Sequence, residues 1–130
     1  MNIILSNTSG VPIYEQIAEQ IKALIISGQL AADSPLPSMR LLAKELRVSL
    51  ITTKRAYEEL ERDGYIRTVT GKGSFVAGLN SDLIREEQLR LIENDLRAAV
   101  QRAQLNGLSL SDLTDLLSLL YEEDTDHERT

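Results

Sequence analysis

With 130 residues, 42% of them hydrophobic and 26% charged, the chain has material for one domain, or for one small domain with an appendage. It has no cysteine, which excludes a disulfide framework or a thiolate metal site, and no apolar run near the roughly 20 residues of a membrane helix. NIILSNTSG after Met1 lacks the basic region of a signal peptide, so the expected compartment is the cytoplasm, and the formal charge of −6 argues against a polyanionic partner until it is divided along the chain.

A first helix is expected from about Val11 to Ser27. Pro12 suits its start, Gly28 suits the residue past its end, and Ile13, Ile17, Ile21, Leu24 and Ile25 form an apolar stripe at spacings of three and four. QLAADSPLP follows as a loop, with a short strand near Ser34–Leu36. Ser38 caps a short second helix that ends near Arg47, with Leu42, Ala43 and Leu46 inward; Ser49 caps a third that reaches Asp63, with Thr53, Ala56, Tyr57 and Leu60 inward. Gly64 fits the left-handed position that ends a helix. Two short helices joined through about three residues, Arg47-Val48-Ser49, have the pattern of a helix-turn-helix.

Residues 65–69 alternate as a strand, and residues 74–77 can pair with it across the turn Thr70-Gly71-Lys72-Gly73. The expected fold is mainly α with a small β element (α+β): a winged helix-turn-helix over residues 1–78, then a two-helix region over 79–130. In that region a long helix spans about Ser81 to Asn106, with Leu89, Ile92, Leu96, Val100 and Ala103 on one face. Asn106-Gly107 breaks it. SLSD, Ser109 to Asp112, resembles a capping box, and a last helix runs to about Glu122 with Leu110, Leu113, Leu116, Leu117 and Leu120 inward. A polar tail holding His127, the single histidine, is expected to fray.

The charge divides with these elements. Residues 1–78 hold 9 Lys and Arg against 8 Asp and Glu, and residues 79–130 hold 5 against 12. Five bases (Arg40, Lys44, Arg47, Lys54 and Arg55) cluster in the helix-turn-helix against one acid, Glu45. A polyanion meets that local surplus, because distant acids are screened beyond about 8 Å at physiological salt. The start of the third helix presents Ser49, Leu50, Ile51, Thr52 and Lys54, and in a helix-turn-helix that end enters the major groove. Ser38 and Arg40 open the second helix, where Arg40 reaches backbone or a guanine edge. Lys72, between Gly71 and Gly73 on the hairpin tip, reaches the minor groove. The expected partner is double-stranded operator DNA.

VPIYEQIAEQIKALIISGQL, LPSMRLLAKELRVS, AYEELERDGYI and GKGSFV, in that order over about residues 10–77, resemble the DNA-binding domain of GntR-type transcriptional regulators, and the short C-terminal part resembles the YtrA subfamily. The resemblance implies a dimeric bacterial regulator, often a repressor, and puts Arg40, Ser49, Thr52, Lys54, Gly71 and Lys72 on the DNA. Where the family commonly has arginine then asparagine after the serine, this chain has Leu50 and Ile51, and Thr53 replaces a frequent core valine. Leu50 and Ile51 either pack on thymine methyl groups in A·T-rich half-sites or pack against the second helix.

The 13 leucines of residues 79–130 exceed what two helices alone can bury, so a homodimer is expected, with Leu89, Ile92, Leu96, Val100, Leu113, Leu116, Leu117 and Leu120 at its interface. A small-molecule effector of unknown identity could bind between the DNA heads and these helices, but no residue names it. No phosphate loop, metal-ligand cluster or nucleophile–base pair is visible, so no catalytic residue, metal or cofactor is expected. The acid pairs Glu58-Glu59, Glu86-Glu87 and Glu122-Glu123 read as solvated faces. The competing function is a winged-helix protein-interaction module without specific DNA binding.

Overall fold

Helix α1 (Ile13–Ile26) opens with Pro12 as its N-cap and closes on Gly28, whose φ of 82° suits a residue without Cβ. A computed structural model describes residues 1–78 and 81–128, with side chains described to Asp124. Helices α2 (Met39–Leu46) and α3 (Leu50–Arg62) follow, then strands β1 (Ile66–Val69) and β2 (Gly73–Val76), then helices α4 (Asp82–Leu105) and α5 (Leu110–Glu128). They form two compact units, Met1–Gln88 and Leu89–Thr130.

In the first unit Ile17, Ala18, Ile21 and Ile25 of α1 meet Leu42, Ala56, Tyr57, Leu60, Tyr65, Ile66 and Val76 in one core. The strands pair antiparallel, Val69 opposite Gly73, so Thr70, Gly71 and Lys72 make the turn. The strand expected near Ser34–Leu36 is a single bridge, Pro35 to Phe75, flanked by Leu36 N–H donating to Ser74 O (2.9 Å) and Val76 N–H to Ser34 O (2.9 Å). The turn between α2 and α3 puts Arg47 in the left-handed region (φ 58°), and Val48 N–H donates back to Ala43 O at 3.0 Å.

Residues 1–12 carry no helix or strand, yet Ile3 is buried. Two glutamines one turn apart on α1 hold this arm as a neighbouring strand would. Gln20 accepts from Ile4 N–H (2.9 Å) and donates to Ile4 O (2.7 Å); Gln16 does the same with Ser6 (2.8 Å each way).

The start of α4 packs with the first unit, and here one expectation is corrected. Glu87 is not a solvated acid: its side chain is 9% exposed, and Oε1 accepts from Lys22 Nζ at 2.6 Å. Lys22, 8% exposed, also donates to Asp63 Oδ2 (3.1 Å), and its ammonium lies 5.1 Å from the Tyr65 ring centroid. Burial lowers the Lys22 pKa, but the hydrogen bonds to Glu87 and Asp63 outweigh it and hold it above its ordinary value. Burial pushes the Tyr65 phenol up to about 12, and Gln88 donates to its oxygen at 2.6 Å. Ile84 is buried beside them.

In the second unit Asn106-Gly107 ends α4, as expected, with Gly107 at φ 72°. The SLSD box forms reciprocally: Ser109 N–H donates to Asp112 Oδ2 and Asp112 N–H to Ser109 Oγ, both 3.1 Å. The expected end of the last helix at Glu122 is corrected, since α5 runs on to Glu128. No glycine or proline follows Gly107 to stop it, and glutamate is a good helix former. The side chain of His127 lies outside the described residues. Along α4 and α5, Leu89, Ile92, Leu96, Val100, Leu116, Leu117 and Leu120 are exposed within the chain, while Leu113 is half-buried.

Candidate nucleic-acid interface

The helix-turn-helix is set by two serine caps. Ser38 Oγ accepts from Leu41 N–H (3.1 Å), and Ser49 Oγ accepts from Thr52 N–H (3.2 Å) and is shared with Thr52 Oγ1 (2.9 Å). Each cap fixes where its helix begins, and so which residues stand in its first turn. Their hydroxyls are thereby engaged locally.

Thr53 joins the two starts. It is fully buried, and its Oγ1 donates to Met39 O (2.9 Å) and Leu50 O (3.1 Å). A valine would fill this space without the hydroxyl. The threonine therefore ties the first residue of α2 to the first turn of α3 and brings Arg40 and Leu50–Lys54 into one neighbourhood. Tyr57 OH adds a bond to Pro37 O at 2.7 Å, bracing the approach to α2. Burial first, then the Glu45 charge, raises its phenol pKa well above the ordinary value, so it stays a neutral donor.

The hairpin joins α3 further along, where Thr68 Oγ1 donates to Glu61 Oε2 at 3.3 Å. Gly71, Lys72 and Gly73 are therefore placed by the hairpin itself, not by contact with the start of α3. Both glycines have positive φ (79° and 108°), and a Cβ at either would meet nothing within 4 Å.

The basic residues fall into two groups. Arg55 stacks on Tyr14, 3.8 Å from the ring centroid, and Arg67 bridges Asp33 at 3.0 Å. By contrast Arg40, Lys44, Arg47, Lys54 and Lys72 are exposed, and none of them has a salt bridge among the described residues. Five such cations on one small unit, with Arg40 and Lys54 near the starts of α2 and α3, suit a phosphate partner. Leu50 and Ile51 are 38% and 78% exposed.

Among the described residues no group of His, Cys, Asp and Glu could hold a metal ion, and no helix is long and apolar enough to cross a membrane. Sequence reasoning missed Lys22 and Glu87. The signal for Lys22 was its place on the apolar stripe of α1, four residues after Ala18 and three before Ile25.

The family model described as bacterial regulatory proteins, gntR family, matches residues 13–76. The chain is 34% identical over 105 residues to the HTH-type transcriptional repressor YtrA of Bacillus subtilis, covering 81% of each protein. A crystal structure of a transcriptional regulator from Oenococcus oeni superposes with a TM-score of 0.74 at 28% identity, over 90% of this chain and 97% of that one. The DNA-binding domain of AraR in complex with operator ORX1 superposes with a TM-score of 0.53 at 28% identity, over 59% of this chain and 96% of that one. Both the helix-turn-helix with its glycine-tipped hairpin and the likeness along most of a relative's length lead to one assignment: the chain belongs to the GntR family of bacterial regulatory proteins.

Proposed function

We propose that this chain is a cytoplasmic, sequence-specific DNA-binding repressor that acts as a homodimer on an inverted-repeat operator. The observation that carries the DNA reading is the set of exposed cations Arg40, Lys44, Arg47, Lys54 and Lys72 on the helix-turn-helix and hairpin tip, none of them in a salt bridge among the described residues. The first turn of α3 lies in the major groove, with Ser38, Arg40, Ser49, Thr52 and Lys54 toward the duplex, and Gly71, Lys72 and Gly73 approach the adjacent minor groove. The likeness to an operator-bound AraR domain supports the same partner. The name of the YtrA relative supports repression.

The dimer reading rests on Leu89, Ile92, Leu96, Val100, Leu116, Leu117 and Leu120, whose exposed stripes another copy would cover, with half-buried Leu113 at their edge. A two-fold axis sets two recognition helices on half-sites about 34 Å apart, or a multiple of that. A small-molecule effector is not required by this reading.

The test is selection from a randomised duplex pool at two salt concentrations, with wild type beside a Lys54→Ala, Lys72→Ala variant. Wild type is expected to select an inverted repeat, and its affinity to fall steeply with salt. Losing two phosphate contacts should reduce the log–log salt slope by about 2. Unselective, salt-insensitive binding would instead favour the protein-interaction module. A Leu96→Asp, Leu117→Asp variant, examined by sedimentation, should be monomeric with a folded head. A dimer that survives both substitutions would refute the assigned interface.

A further inference from the structure

We infer that Ile51, seconded by Leu50, is a specificity-determining residue that reads the C5-methyl group of thymine in the operator. This rests on the DNA-binding reading above. Ile51 is 78% exposed, so it does not pack against α2, and Leu50 beside it keeps 38% of its surface open. Both stand in the first turn of α3. A β-branched aliphatic side chain is a poor choice for a solvated helix turn, because it loses rotamer freedom and leaves apolar surface in water.

The polar groups of that turn are already engaged. Ser49 Oγ and Thr52 Oγ1 share a hydrogen bond at 2.9 Å, and Ser49 Oγ also accepts from Thr52 N–H. What the turn offers a base edge is therefore largely hydrocarbon. The occupant is fixed by the surroundings: exposed Lys54 on the same helix and Arg40 on its neighbour, neither in a salt bridge among the described residues, draw in a phosphate backbone, not an apolar protein surface. Within the major groove only thymine presents an apolar group, so an isoleucine there discriminates A·T pairs by contact with a methyl.

The experiment replaces each thymine of the selected operator, one at a time, with deoxyuracil, which pairs alike but lacks the methyl. Affinity is measured for the full chain and for Ile51→Ala and Leu50→Ala variants. For wild type, one or two positions in each half-site should weaken about fourfold, the effect of burying one methyl-sized group. Ile51→Ala should bind the thymine and uracil duplexes equally at those positions. The inference is overturned if no thymine is distinguished from uracil, or if the same discrimination persists in both variants. Failure to enrich any duplex in the preceding selection would sink the DNA-binding reading itself, and this inference with it, before any uracil is introduced.

Discussion

Replacing Lys22 with methionine should destabilise the DNA-binding head more than removing any surface charge. The Lys22 ammonium hydrogen-bonds two carboxylates, Glu87 at 2.6 Å and Asp63 at 3.1 Å, with side-chain exposures of 8% for Lys22, 9% for Glu87 and 15% for Asp63; a third, Glu19, lies at 3.8 Å but is exposed. Without it, Asp63 keeps Arg62 at 3.3 Å, but Glu87 keeps no ion pair among the described residues, only the neighbouring Tyr65 phenol. Its Oε2 has no hydrogen-bond partner among the described residues, and Oε1 would lose its ammonium donor. Breaking a buried pair from one side costs about 3–5 kcal/mol, because the remaining charge is left desolvated. In a unit of this size that lowers Tm by roughly 12–40 °C. A Lys22→Met, Glu87→Met double variant should recover most of the loss, since an apolar pair of similar volume needs no partner. Urea unfolding followed by circular dichroism, at one fixed protein concentration, measures all three chains. A Lys22→Met cost below about 1 kcal/mol, the range of exposed ion pairs, would mean that the pair behaves as a solvated one. A double variant no better than the single would mean that the stranded Glu87 charge is not the cause of the loss.

Two further outcomes follow from the same unit. Burial raises the Asp63 pKa, but the hydrogen bonds from Arg62 and Lys22 outweigh it, so the folded value lies below the ordinary 3.8. The stability it contributes is present above the unfolded value and is lost as pH falls below about 3.8 through the folded one; urea midpoints across that range should fall less for Asp63→Asn than for wild type. Gly64→Ala should cost about 1–3 kcal/mol in thermal unfolding, because at φ 84° its Cβ would lie 2.5 Å from Leu83 Cβ. Gly28→Ala, at φ 82° with nothing within 4 Å, meets only the left-handed penalty and should cost less.

Helix boundaries were legible where local chemistry marks them: Pro12 and Gly28 around α1, Ser38 and Ser49 as caps, Gly64 and Gly107 as left-handed stops; the end of α5, which has no such mark, was not. The inward stripe Thr53, Ala56, Tyr57 and Leu60 is likewise a matter of period, and all four are buried. The pairing of Lys22 with Glu87 was not legible, since it joins residues 65 apart and a charged residue reads as solvated unless its partner is known. The arm held by Gln16 and Gln20 has no periodic signal, because side-chain amides replace a strand's backbone partners. At the interface, spacing placed Leu50 and Ile51 in the first turn but could not tell packing from exposure. That required the fold, which leaves Ile51 outside.

The winged helix is complete at Val76, yet the head's compact unit closes at Gln88, seven residues into α4. Heads of this kind are attractive modules for recombination with other effector or assembly regions. A chimaera joined just after the hairpin would discard Ile84 from the core, strip Tyr65 of its Gln88 donor and leave Lys22 without Glu87. The transferable piece is the hairpin together with the opening turns of the following helix. Any recombination that preserves the head's stability must make its crossover inside that helix, beyond Gln88, where residues 89–102 are all exposed.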